Sequence, residues 1–257
     1  MARYALKVAY VGTRFHGSQA QPTHRTVHGE IEAALRKLGT EEPELRWAGR
    51  TDAGVSARGN VVAVRTDFPR GKLLQALTRN GVDVWAWALA DVDDRFDPRR
   101  DARARRYRYH LRSDLDAAAL RAALAPFVGT HDFSGFARVE PGHDPRRTVT
   151  AIEVRRQGPF LVVDVEGESF LWNQIRRMVE AARRVAAGDL PADVLARTLA
   201  AGEPAELGTA PPYPLVLMDV EYERIAFEAG DPRLFEKLRW RDQDLEMERA
   251  VLGAILP

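Results

Sequence analysis

Cysteine is absent from all 257 residues, which excludes disulfides, thiolate metal sites and a cysteine nucleophile. Lysine is scarce. Only Lys7, Lys37, Lys72 and Lys237 stand among the 38 basic residues, the rest being arginine. A GC-rich genome produces that bias; a surface that grips phosphates and stacks on bases also needs it, because guanidinium is a planar fork that lies flat on rings. Both explanations hold together. No uninterrupted apolar run approaches the roughly 18 residues of a membrane helix, so no membrane partner is expected. Met1 to Val8 alternate straight into a strand instead of forming a leader; a cytoplasmic protein is the expectation. There is no Gly-rich phosphate loop ending in Lys-Ser/Thr and no dinucleotide fingerprint. His24 and His28 are separated by a helix start and lack a third ligand, so no metal is expected. The net charge of +1 argues against indiscriminate coating of polyanions and leaves room for a local basic groove.

What is present is enough apolar residue, 45%, for a sizeable core. Arg3–Val11 alternates as a strand. Thr26–Leu38 reads as a helix with Thr26 as N-cap and Val27, Ile31, Ala34, Leu35 and Leu38 on one face. Leu45–Ala48 and Asn60–Thr66 read as short strands, Gly71–Asn80 as a helix closed by Gly81, and Val84–Ala90 as a strand. The order then repeats with one helix added: strand 105–111, helix 115–127, a hairpin of strands 148–156 and 160–167, helices 171–187 and 192–201, strand 215–222. The tail from Asp231 reads as further helix. Two βαββαβ units predict an α+β protein of two ferredoxin-like halves. Their antiparallel sheets join into one body with an active-site cleft between them. The halves are residues 1–102, and 103–257 with the extra helices and tail.

Residues 45–64 run from strand to turn to strand, with Gly49, Gly54 and Gly59 allowing tight folding and close approach of a substrate. Asp52 lies among them, with Arg50 and Arg58 near. On turn chemistry alone, Asp52 and Thr51 read as residues that hydrogen-bond the turn. Arg95–Arg112 holds eight arginines against two aspartates, interleaved with Tyr107 and Tyr109. That is the character of an RNA-binding groove, and equally of a solvated strand face.

Gly49-Arg50-Thr51-Asp52-Ala53-Gly54-Val55 resembles the signature of the tRNA pseudouridine synthase A family. Similar stretches are Tyr10–Gly17, Thr26–Glu32, Phe96–Arg99 with Ala104–Tyr109, Asp132–Phe136, Phe170–Arg176 and Ala210–Pro212, so the resemblance spans the chain to about residue 222. It implies an isomerase that turns uridine into pseudouridine at tRNA positions 38, 39 and 40, working as a homodimer whose tRNA touches both subunits. It makes Asp52 the nucleophile, places Tyr107 against the target base and pairs Arg176 with Asp52. Arg50, Arg58, Arg99, Arg105 and Arg106 are the expected RNA contacts. Ser18 and Ser56 depart from the family's tryptophan and histidine, and Glu180 from its small residues.

The chemistry fits these residue types. Breaking N1–C1′, turning the uracil and rejoining it through C5 involves no oxidation and no addition, so no cofactor is required. A carboxylate that attaches and leaves suits the step; attack at C6, attack at C1′ and assistance to a glycal stay open. A nucleophile shielded from water needs an opposing cation to stay charged, and breaking such a buried pair costs roughly 3–5 kcal/mol. A stacked base must be flipped out to be reached, and an aromatic ring such as Tyr107 can hold it. A catalytically silent RNA-binding module lacks a reason for the Asp52, Tyr107 and Arg176 set. A glycosidase-like hydrolase lacks a second carboxylate in the same segment.

Overall fold

The computed structural model describes residues 2–255. The first half is β1 (Ala2–Tyr10), α1 (Val27–Lys37), β2 (Leu45–Trp47), β3 (Ser56–Thr66), α2 (Arg70–Asn80) and β4 (Val84–Asp91). The second is β5 (Ala102–Arg112), α3 (Ala117–Leu124), β6 (Gly129–Asp132), β7 (Arg146–Gln157), β8 (Phe160–Gly167), α4 (Gln174–Ala186), α5 (Val194–Ala201) and β9 (Leu215–Tyr222). A tail adds β10 (Glu228–Ala229) and α6 (Glu236–Ile255). Side by side the strands run β4-β1-β3-β2 and β9-β5-β8-β7, with β6 outermost beside β7. Within each half all pairing is antiparallel. The protein is therefore α+β, built of two ferredoxin-like halves joined in one sheet.

The join is made on β3. Along one edge of this strand, Val62 to Val64 pair with Leu45 to Trp47 of β2. Further along the same edge, Ser56 and Ala57 pair in parallel with Val216 and Leu217 of β9. One long strand thus serves both halves, and the chain between β2 and β3 leaves the sheet where one neighbour ends and the next begins. Gly59 is needed at this seam: a Cβ there would sit 2.8 Å from the Met218 carbonyl oxygen. Buried residues of both halves, from Leu6 and Leu35 to Met178 and Val220, form one continuous apolar cluster.

The expected elements appear with shifted ends. Thr26 caps α1, its Oγ1 accepting from Gly29 N at 3.2 Å. Gly81 ends α2, but at φ −80°, so it supplies room and not a left-handed turn. The helix expected from Leu171 begins at Gln174, because Trp172 bridges to Arg138 and Asn173 takes a left-handed φ of 62°. The helix expected over 115–127 is capped by Asp116 and tightens into a 3-10 turn at Pro126. β6 went unforeseen; its four residues carry no apolar alternation.

β1 is buried along nearly its whole length, more than alternation predicts, because the tail returns across the first half. β10 pairs with β4, Phe235 lies 6.4 Å from Trp87, and Lys7 Nζ sits 4.9 Å over Phe227. Lys7 is also paired with Asp219 of β9, a further tie across the seam. Replacing Gly59 by alanine is expected to lower stability by about 1–3 kcal/mol through overpacking. Urea unfolding measures this, and an unchanged midpoint would mean that β3 and β9 are not in close contact.

Candidate active site

The segment leaving β2 is fastened from beneath. Gly49 O accepts from Asn60 Nδ2 at 3.0 Å. Asn60 Nδ2 also donates to the buried Tyr10 hydroxyl at 3.2 Å, which leaves that hydroxyl to bond Thr51 Oγ1 at 2.8 Å. Ser18 holds Thr51 twice: its Oγ accepts from Thr51 N at 2.9 Å and its N donates to Thr51 O at 3.0 Å. Gly12 passes so near that a Cβ would lie 2.2 Å from the Val55 carbonyl, and Gly54 turns the chain at φ +85°. Thr51 is thereby buried while Asp52 projects from the loop. Burial pushes the Tyr10 phenol up to about 12, against the pull of its bonds to Thr51 and Asn60.

Arg176 arrives from the second half, on the first turn of α4. Its Nε donates to Ala210 O at 2.8 Å and its Nη1 to Asn173 Oδ1 at 2.9 Å. Two neutral acceptors thus fix the guanidinium, and Nη1 also reaches Asp52 Oδ2 at 3.2 Å. The expected pair is present, but it is less enclosed than the sequence suggested: the side chains are 16% exposed for Arg176 and 30% for Asp52. Its worth falls between roughly 1 kcal/mol for an exposed pair and roughly 3–5 kcal/mol for breaking a buried one. The open side of Asp52 is where a reacting group can enter.

Tyr107 lies beneath this opening on β5, buried, its ring edge-on to Phe170 with centroids 5.4 Å apart. No described residue hydrogen-bonds its hydroxyl, which points toward Gly49. Burial drives this phenol well above the usual range, against the nearby Arg105 cation, with Tyr10 and Asp52 adding to the rise. Asp52, Arg176 and Tyr107 are therefore brought together at the junction of the two halves.

The five other arginines divide. Arg50 and Arg99 are exposed, without a described carboxylate in ion-pair range. Arg58 is exposed but stacks on Trp87 at 5.4 Å. Arg105 is buried: its guanidinium donates to Ala48 O at 3.0 Å, to Arg99 O at 2.8 Å and to Glu168 O. Arg106 pairs with Asp219 at 3.4 Å and Glu221 at 3.1 Å. Alternation along β5 explains the split, since Arg105 shares the inward side with Tyr107 and Tyr109 while Arg106 faces β9 carboxylates. Arg105 is thus a tie between β2, the connection at Arg99 and the end of β8, where the sequence suggested a groove residue. The sequence reading also missed Tyr10, Asn60 and Asn173 as partners, because hydrogen bonds between distant strands leave no local pattern.

Residues 123–223 match a model of the family described as tRNA pseudouridine synthase. A tRNA pseudouridine synthase A of Thermococcus kodakarensis is 43% identical, over 99% of this chain and 97% of that protein. One of Methanocella arvoryzae is 42% identical over 98% of each, and one of Pyrococcus furiosus 40% identical over 90% of this chain and 88% of that protein. The chain belongs to the tRNA pseudouridine synthase A family.

Tyr10 and Tyr109, both pushed up to about 12 by burial, link stability to alkaline pH. A raised pKa in the folded state gives stability that is whole below about pH 10, the unfolded value, and is lost as pH climbs through 12. Melting temperature should fall across that window, less steeply in Tyr10→Phe. An equally steep fall in that variant would deny Tyr10 a part in it.

Proposed function

We propose that this member of the tRNA pseudouridine synthase A family acts on the uridines at positions 38, 39 and 40 of the tRNA anticodon stem-loop, with Asp52 as nucleophile. Membership makes the chain an isomerase that converts uridine to pseudouridine in tRNA. One observation supports the assignment of Asp52: a partly open carboxylate meets a guanidinium from the other half, above a buried phenol whose hydroxyl no described residue hydrogen-bonds.

In the reaction N1–C1′ breaks, the uracil turns, C5–C1′ forms, the hydrogen on C5 leaves as a proton, and the freed N1 takes up a proton. Asp52 forms and releases the covalent link, and attack at C6, attack at C1′ and assistance to a glycal all start from this carboxylate. Arg176 holds it in place. Tyr107 supports the extruded base with its ring and donates from its hydroxyl; its raised pKa keeps it protonated near neutrality, so it is a poor base for C5. Arg50, Arg58 and Arg99 offer free cations to the RNA, while Arg105 and Arg106 shape the groove through their ties and pairs. The halves are residues 1–102 and 103–257, the chain works as a homodimer, and it resides in the cytoplasm, where its substrate is.

Incubation with tRNA carrying tritium at uridine C5 tests this directly. Tritium should be released without added metal or cofactor, and Asp52→Asn should slow release on the order of a thousandfold or more. Persistent release from that variant would remove Asp52 from the role, and free uracil would mean a hydrolase. Arg99→Ala should weaken tRNA binding and reduce the salt slope by about one; unchanged affinity would place the RNA elsewhere.

A further inference from the structure

Three aromatic side chains stand exposed on the described surface: Trp172, Tyr213 and Trp240. A single exposed aromatic needs no explanation, but two of these three adjoin the groups that hold Arg176. Trp172, 45% exposed, immediately precedes Asn173, whose Oδ1 takes a hydrogen bond from Arg176. Tyr213, 64% exposed, follows Ala210, the other acceptor of Arg176, by three residues. Pro212 between them packs on the Asp52 loop, its ring 3.1 Å from where a Cβ on Gly54 would lie. The two rings therefore stand on segments that meet at the Asp52–Arg176 pair.

The backbone at Trp172 is also anchored. Its carbonyl accepts from Arg138 N at 2.9 Å, and the left-handed Asn173 fixes the chain after it. The Arg138 guanidinium lies 4.4 Å from the centre of the indole, and among the described residues no carboxylate lies in ion-pair range of it. An exposed indole on an anchored backbone, with a cation on it and no described carboxylate to pair that cation, suits a nucleotide. The ring stacks on the base and the guanidinium meets the phosphate.

We infer that Trp172 with Arg138, and Tyr213 on the neighbouring segment, stack on the bases that flank the uridine held at Asp52 once it is extruded. The inference rests on the uridine-isomerising reading of the site. It gives the enzyme a means of holding the strand open on either side of the extruded uridine. Trp172 and Tyr213 act in positioning and touch no reacting atom of the uridine.

The test uses full-length protein and unmodified tRNA. Trp172→Ala should raise KM about tenfold with kcat nearly unchanged, from the cost of one lost base stack, and Trp172→Phe should recover most of the loss. Tyr213→Ala should act in the same direction. Arg138→Ala should raise KM and flatten its dependence on salt. On an Asp52→Asn background, 2-aminopurine placed next to the target uridine should be quenched on binding, and Trp172→Ala should abolish the quench. That binding signal does not need turnover, so loss of the quench effect and failure of Asp52 as nucleophile are separate results. An unchanged KM in a Trp172→Ala variant of normal melting temperature overturns the proposal. So does a fall in kcat alone, which would make Trp172 a support of Arg176. A change of sedimenting mass, which would bury the ring between copies, also overturns it.

Discussion

The contact between the Arg176 guanidinium and the Asp52 carboxylate brings together residues that neither half could use alone. The carboxylate stands on a loop that exists because β2 ends and β9 takes over the same edge of β3. The guanidinium stands on a helix whose first residue is set by the left-handed Asn173. Each partner is fixed before they meet, Asp52 through Thr51, Ser18, Tyr10 and Asn60, Arg176 through Ala210 and Asn173. A bond of 3.2 Å between two pre-positioned groups loses little side-chain freedom on forming. It can therefore remain in place while one face of the carboxylate stays open.

The division of labour among the arginines follows from where the sheet places them. Charge density along 95–112 looks uniform in one dimension, yet strand alternation turns Arg105 into the interior and Arg106 toward acidic neighbours. Arg105 shows what a buried guanidinium does without a carboxylate: it satisfies carbonyls from three separated segments, and a lysine of the same charge has no planar fork with which to reach them. The cations left for a polyanion are those at loops and edges.

Most of the fold was legible in the sequence because ferredoxin-like halves rest on local signals. Thr26 before Val27 and Ile31, the glycines around Asp52, and the strand pair around Gly158 each carry their own pattern. Asp52, Arg176 and Tyr107 were legible only through resemblance; by local chemistry they are a turn aspartate, a helix arginine and a strand tyrosine. What escaped has a common physical cause. The shared edge of β3, the tie made by Arg105 and the Tyr10–Asn60–Thr51 bonds depend on pairings between residues tens of positions apart. The tail's return over β1 and β4 belongs to the same class, for Phe227 and Phe235 look like any apolar residues until their neighbours are known.

The position of β9 carries a consequence for how the chain is made. It is the last strand of the second half, yet it lies in the middle of the continuous sheet, between β3 and β5. A ribosome that has released the first half has exposed Asp52 on a loop with half of its edge unpaired and no Arg176 beside it. Closure awaits Leu215–Tyr222, which is made long after Asp52. A chain that stops between β3 and that strand holds Asp52 without the completed junction, and leaves an open sheet edge ready to pair with another chain.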